Sequence, residues 1–502
     1  MSPATRSLDS RTPVLVGAGQ FLNHAAGLDD ALDPATLMCT AIRAAAADAG
    51  LASVPAADSV RVVSLLSWRY GDPAWVVAQQ LGLSPRETAI TTMGGTSPQA
   101  LVNETALAIQ RGDLDLAILT GGEAWRTRSR LRRAAVELAW PKAPADAFPT
   151  VLGEDLEMNH PDERARGLML PVQIYPMFET AIRAAAGRTV EQQQLLASEL
   201  WSRFSETAAH NPYAWLRTPK TAEEIRTPTA SNRMIGFPYT KSMNSNNAVD
   251  MAAALIMCSA DKARSLGVAA DRWVFPVAGT DCHEHNYISH RCSFADTPAI
   301  ELGGREVMRL AGVGIDDIEM IDLYSCFPSA VQLGARSLGL SLDRQLTRTG
   351  GLSFAGGPWN NYSMHAIATV MNDLRERPGS TALVWANGGY ATKHSFGIYA
   401  TAPTKLFRHS SPQTAIDALP RRELAEVADA FVARDMGAAT IEAYTVMHTR
   451  EGTPETALAA CLLADGRRAW GTSTDVALAT AMCEGEWVGR TAHLADDGTI
   501  SC

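Results

Sequence analysis

Thr92-Met93-Gly94-Gly95-Thr96-Ser97, a run of helical pattern, and then residues 116–123 (LAILTGGE) form the stretch on which the fold turns, because the chain repeats it. The second copy reads Thr349-Gly350-Gly351-Leu352-Ser353, a helical run over 364–374, and residues 382–390 (ALVWANGGY). Each copy is a Gly-Gly turn, a helix, and an apolar strand that ends in another Gly-Gly. That pattern predicts one α/β unit used twice.

Working outward, residues 14–19 read as a short apolar strand and 34–47 as an alanine-rich helix; 60–66 and 74–83 repeat the pair, and 104–111 leads as a helix into the strand at 116–119. Alternation of this kind predicts a parallel sheet covered on both faces. The rhythm breaks over 126–238, where prolines, tryptophans and charges mark an insertion containing a helix at 189–209. It returns with 248–266, read as an amphipathic helix or as a strand and a helix. The strand 273–279, helix 300–311, strand 318–323 and helix 329–338 then retrace the first half.

Beyond Pro403 the composition shifts. Residues 422–434 read as a linking helix, and short alternating segments at 440–448, 456–463, 469–474, 476–481 and 487–494 predict a small separate β-barrel.

The chain has 502 residues, 46% of them hydrophobic, enough for several sizeable cores. Its net charge of -10 and pI near 5.6 argue against a nucleic-acid partner, because phosphate binding needs a basic face. No apolar run approaches the ~18 residues of a membrane span, and residues 14–19 are too short for a signal-peptide core, so the expected location is the cytoplasm. Eight cysteines without a CxxC pair indicate neither a zinc knuckle nor a disulfide framework; buried reduced thiols are expected.

Four segments, in order, resemble the thiolase superfamily, closest to its sterol-carrier-protein-2 type, over residues 12–405. Ser242-Met243-Asn244-Ser245-Asn246-Asn247 is similar to the loop that touches the pantetheine arm, and Tyr324-Ser325-Cys326-Phe327 to the NEAF or HDCF loop. Residues 350–358 (GGLSFAGGP) are similar to GGAxxxGHP, and Ala386-Asn387-Gly388-Gly389 to the strand end that carries CxG. The resemblance implies a duplicated five-layered fold, βαβαβαββ twice, with a loop-domain insertion. Its divisions are 12–125 with 239–272, then 126–238, 273–405, and 406–502. The last would be a linker helix and an OB-like β-barrel, similar to the extra domain of a set of bacterial thiolase-like proteins.

Thiolase chemistry needs a nucleophilic thiolate, a histidine to activate it, a second cysteine for proton transfer and oxyanion donors. On the resemblance, the nucleophile falls on Gly95, the GHP histidine on Gly357, the CxG cysteine on Ala386 and the first residue of NEAF or HDCF on Tyr324. None keeps the family side chain. A nucleophile and base act as a unit, so ordinary acetyl-CoA acetyltransferase activity is not expected. The expectation is instead a protein that binds CoA or an acyl-CoA, with Ser245 and Asn246 on the pantetheine side and no covalently bound cofactor. Two alternatives stand beside it: an acyl-CoA aldolase or lyase using Tyr324, and a non-enzymatic adaptor of lipid metabolism.

Other side chains compete for roles. Cys326 is a reactive thiol or a buried packing residue, and His394 a relocated base or a packed histidine. Thr96 and Ser97 lie beside the lost nucleophile, and helix capping is their expected role. Asp281, His283, His285, His290 and Cys292 have metal-ligating types, but thiolases hold no metal and none is expected here. Arg126, Arg128, Arg130, Arg132 and Arg133 suit phosphate. Arg130 and Arg133 are the candidates for the coenzyme's phosphates, and a solvated helix face is the other reading. A monomer or homodimer is expected, with the C-terminal domain open to a protein partner.

Overall fold

The computed structural model describes residues 8–402, 406–425 and 436–501. The first half contains β1 (Pro13–Leu22), α1 (Pro34–Asp48), β2 (Ser59–Val62), α2 (Pro73–Leu81), β3 (Glu87–Thr91), α3 (Ser97–Arg111), β4 (Leu116–Ala124) and, after the insertion, β8 (Asp250–Ser259). This is one βαβαβαββ unit. Local chemistry sets its boundaries: Asp33 and Asp72 accept hydrogen bonds from Ala35 and Trp75 amides ahead of helices that begin with proline, and Gly82 ends α2 in the left-handed conformation. The alanine-rich run at 248–266 resolves as a strand followed by a short helix.

β8 is buried along its whole length and lies antiparallel between β1 and β4. Burial on both faces explains why it reads as a continuous apolar run. Gly17 and Gly19 of β1 have no alternative, since a β-carbon on either would run into the carbonyls of Ala45 or Ala41 in α1. The helix backbone rests directly on the strand.

The second half repeats the unit with β9 (Phe275–His283), α7 (Pro298–Ala311), β10 (Met320–Leu323), α8 (Pro328–Leu338), α9 (Tyr362–Glu376), β11 (Thr381–Gly388) and β12 (Lys393–Ala400). Its order, β10-β11-β12-β9, matches β2-β4-β8-β1 of the first half. One member is missing as a ladder. Where β3 flanks β2, the described residues of the second half form no strand, and the backbone link is a hydrogen bond from the Leu323 amide to the Leu346 carbonyl.

α3 and α9 lie between the two sheets, with α1 and α2 outside one and α7 and α8 outside the other, giving five layers. Two buried polar side chains of α3, Gln99 and Asn103, find partners across the layer. Tyr399 Oη donates to Gln99 Oε1 at 2.7 Å, and Asn103 Nδ2 to Asp281 Oδ2 at 3.0 Å.

The insertion holds α4 (Trp125–Arg133), β5 (Thr150–Leu152), α5 (Pro171–Ala185), α6 (Val190–His210), β6 (Met234–Gly236) and β7 (Tyr239–Thr240). β5 pairs in parallel with β3 and extends the first sheet beyond it. β13 (Arg408–Ser410) extends the second sheet beyond β9.

The C-terminal region differs from its sequence reading in two ways. It is an antiparallel sheet of β14 (Gly437–His448), β15 (Pro454–Leu463), β16 (Arg468–Ser473), β17 (Thr491–Leu494) and β18 (Ile500–Ser501), with one parallel bridge, Thr472 to Thr499, between its edge strands. It is not separate, because β6 of the insertion pairs with β14 at Gly236 and Met447. Residues 476–481, expected as a strand, belong to α10 (Val476–Glu484), which Asp475 caps at the Ala477 and Leu478 amides while Ala479 and Met482 are buried. The linking helix expected at 422–434 falls mostly on 426–435, outside the described residues; Leu424 makes a parallel bridge to Arg468.

Arg468 fastens this domain to the second half. Fully buried, it pairs with Glu442 through both terminal oxygens and donates to the carbonyls of Ile288, Ser289 and Arg291. A buried guanidinium of this kind is tolerated only because its donors are taken up.

Candidate functional site

The Gly-Gly turn before α3, the end of β10, the end of β11 and the start of α5 converge on a cleft of about 470 Å³. A larger cavity of about 660 Å³, between α6 and residues 343–348, contains none of the motif residues and is a separate feature. The cleft walls are mostly apolar, with Met93, Met158, Leu170, Val172, Phe327, Leu352 and Trp359 among them. Among the described residues, Lys393 is its one charged wall residue.

Gly95 and Tyr324 meet at its centre. A β-carbon on Gly95 would overlap Tyr324 Oη and the Asn387 carbonyl oxygen. The volume that a side chain at 95 would need is therefore filled by a phenol. Tyr324 is buried with its ring edge-on to Tyr362 at 5.5 Å, and no described residue hydrogen bonds its hydroxyl. Burial, with Cys326 beside it, raises its pKa far above the usual phenol value, so the group is protonated at neutral pH.

The floor below Tyr324 is a closed hydrogen-bond network. Asp322 accepts from Tyr362 Oη at 3.0 Å, Thr347 Oγ1 at 3.1 Å and the Arg348 amide at 2.8 Å. Burial raises its pKa to about 6 against those bonds. This network holds the Thr349-Gly350-Gly351 turn in place.

Cys326 also lines the cleft. Burial pushes its thiol up to about 12, the environment of an inert thiol. Ser245 lines it too, and its hydroxyl donates to the Cys326 carbonyl at 3.1 Å. Asn246 is held by its backbone, its amide on Leu352 and its carbonyl on Gly357, while Asn244 and Asn247 turn toward the cavity on either side. A β-carbon on Gly357 would lie 2.9 Å from Asn247 Oδ1, so that loop occupies the space a side chain at 357 would enter.

Ala386 is fully buried and lines no part of the cleft; its neighbour Asn387 does. Asn387 Nδ2 donates to Tyr175 Oη at 2.8 Å, and its Oδ1 is buried without a partner. Tyr175 Oη in turn donates to the Gly389 carbonyl at 3.0 Å and accepts from the Ala391 amide at 2.9 Å. Neither Asn387 nor Tyr175 stood out in the sequence. The first is the unremarkable middle residue of a CxG-like triplet, and the second sits in the insertion. Lys393 donates to the Met93 carbonyl, and burial lowers its pKa.

The remaining candidates lie elsewhere. His394 stacks on Trp385, accepts from its Nε1 at 3.3 Å and opens onto a different cavity shared with Thr96, Ser97 and Asp281; burial drops its pKa to about 3. Thr96 holds the cap position of α3 without a side-chain bond, and Ser97 donates to the Thr92 carbonyl. Arg130 donates to the Ala25 and Ala26 carbonyls, and Arg133 is exposed; neither reaches the cleft. His283 and His285 bond backbone carbonyls, and among the described residues no three metal-ligating side chains converge. No described helix is long and apolar enough to cross a membrane.

Residues 413–499 match the family described as the thiolase-like protein type 1 additional C-terminal domain. Among solved structures, the chain is similar to a monomeric SCP2-thiolase-like protein type 1 from Mycobacterium smegmatis. Identity is 33%, with 98% of this chain and 99% of that one covered and a TM-score of 0.84. An Ltp2-ChsH2(DUF35) aldolase shares the fold at 19% identity, with 78% of this chain and 98% of that one covered and a TM-score of 0.59. So does an acetyl-CoA acetyltransferase from Syntrophomonas wolfei at 17% identity, covering 79% and 100%, with a TM-score of 0.55. No curated protein matches the sequence.

Proposed function

The chain belongs to the type 1 SCP2-thiolase-like proteins, and on that premise we propose that its cleft binds CoA or an acyl-CoA without cysteine-based acyl transfer. One observation carries this reading: Tyr324 Oη fills the volume of a side chain at Gly95. With no thiol at 95, no imidazole at 357 and the Cys326 thiol kept protonated by burial, the cleft lacks an activated acyl acceptor. What it keeps is an apolar channel beside Ser245 and Asn247, of the kind that suits a pantetheine arm.

Calorimetric titration with CoA and then acetoacetyl-CoA tests the proposal. Saturable one-site binding of each ligand, with no acetyl-CoA formed, is expected. Absence of binding by both would overturn it and leave the adaptor role.

A second reading, an acyl-CoA aldolase or lyase, is favoured by the unpartnered, protonated hydroxyl of Tyr324. In a retro-aldol cleavage of a β-hydroxyacyl thioester, the bond between the α and β carbons breaks and its electron pair enters the thioester enolate. The hydroxyl proton ends on the α carbon. Tyr324 would deliver a proton to that carbon and regain one from the hydroxyl, so the reaction needs no further reactant. Turnover that survives Tyr324→Phe removes this reading.

A further inference from the structure

The arginines of α4 divide by face. Arg126 and Arg130, four residues apart, both donate to the Ala25 carbonyl, at 2.9 and 2.8 Å, and Arg130 also donates to Ala26. They tie the helix to the segment after β1. Arg128 and Arg132, also four apart, face a cavity of about 590 Å³ on the other side, where they meet Arg69 and Lys142.

No carboxylate lines that cavity, although the protein carries a net charge of -10. None of the four cations forms an ion pair among the described residues. Glu123, whose carboxyl feels the Arg128 charge, is buried beneath the wall and bound to Ser67 and the Leu66 amide. Like charges four residues apart on a helix oppose folding. The helix dipole favours cations in the last turn of α4, but it says nothing of Arg69 and Lys142, which arrive from two other segments.

The walls are built, too. Trp68 Nε1 donates to the Pro141 carbonyl at 2.8 Å, the Ala143 amide donates to the Tyr70 carbonyl at 2.8 Å, and Trp68 packs edge-on against Trp140. Lys142 is held over the Trp68 ring at 5.6 Å and Arg128 over Trp125 at 4.9 Å. These contacts position the charges without neutralising them.

We propose that this cavity is an anion site for a phosphate-bearing small molecule, lined by residues separate from those of the cleft. Convergent guanidinium forks suit phosphoryl oxygens. Two sources share this chemistry, a free phosphorylated metabolite and the phosphates of a CoA molecule.

The test is calorimetric titration of the full chain with inorganic pyrophosphate at low ionic strength, where exposed charges are least screened. The wild type should bind one equivalent, Arg128→Ala/Arg132→Ala should bind about tenfold more weakly or worse, and Arg69→Ala/Lys142→Ala should show the same loss by removing charge from other segments. Arg133→Ala, on the same helix but outside the cavity, should stay within about twofold. No saturable binding by the wild type, or an equal loss in Arg133→Ala, would overturn the site in favour of a diffuse basic surface. A parallel titration with CoA and with pantetheine identifies the source. Loss for CoA alone assigns the phosphates to the coenzyme, and unchanged CoA binding assigns the site to a separate metabolite.

Discussion

Gly95 and Tyr324 share one volume: the β-carbon that position 95 lacks would lie inside the Tyr324 hydroxyl, with the Asn387 carbonyl closing the other side. The backbone at 95 is not left-handed, so neither strain nor a turn demands glycine there. The phenol and the main chain do.

Restoring the thiol alone should therefore fail. Gly95→Cys is expected to show no thiolysis and to lose about 1–3 kcal/mol of stability through overpacking. Combining it with Tyr324→Ala should recover part of that loss, because the Asn387 carbonyl still crowds the site. A denaturant double-mutant cycle measures the coupling, and strict additivity would contradict the shared volume.

Tyr175→Phe removes one hydroxyl and strands three groups: Asn387 Nδ2, the Ala391 amide and the Gly389 carbonyl. Buried orphans cost about 1–3 kcal/mol each before relaxation. Thermal unfolding should move down by several degrees, and CoA binding should weaken as Asn387 loses its tether. A silent variant would argue that the tether does not shape the cleft.

Arg468→Met leaves Glu442 and three carbonyls facing a thioether. Breaking a buried pair in this way costs about 3–5 kcal/mol. The loss should appear in amide exchange as reduced protection of residues 286–292 and of β14 through β16 together, since Arg468 bridges them.

The pH dependence has two opposed parts. His365 and His394 are held neutral by burial, their pKa lowered to about 3 from 6.5. The unfolded chain takes up their protons first, so stability is lost as pH falls below about 6.5. Glu123 is raised to about 7 from 4.5, again by burial. Here the unfolded chain releases its proton first, so stability is lost as pH rises from about 4.5 to about 7. The melting temperature of Glu123→Gln relative to wild type should climb across that window and then level off. A flat difference would mean that Glu123 is already ionised in the folded protein.

Much of the fold was legible because the signals are local. Gly-Gly turns, proline at helix starts and runs such as residues 116–119 announce a duplicated α/β unit without reference to distant residues. The pairing of β6 with β14 left no such trace, since a three-residue strand has no periodicity and its partner is far along the chain. Residues 476–481 misled because alternating small apolar residues suit a strand as well as a helix; the Asp475 cap and the three-residue spacing of Ala479 and Met482 decide for the helix. At the site, Tyr324 and Cys326 were readable as candidates, whereas Asn387 and Tyr175 were not. Ala386 and Asn387 differ by one step along a strand, and one step reverses which of them faces the cleft.

The wall of the cleft formed by Pro171, Val172 and Tyr175 belongs to α5, against which β14 packs. During synthesis that wall leaves the ribosome long before the strand that backs it. The cleft can take its final shape only when the C-terminal sheet has emerged, so a nascent chain halted before β14 has the duplicated core but an unsupported cleft wall.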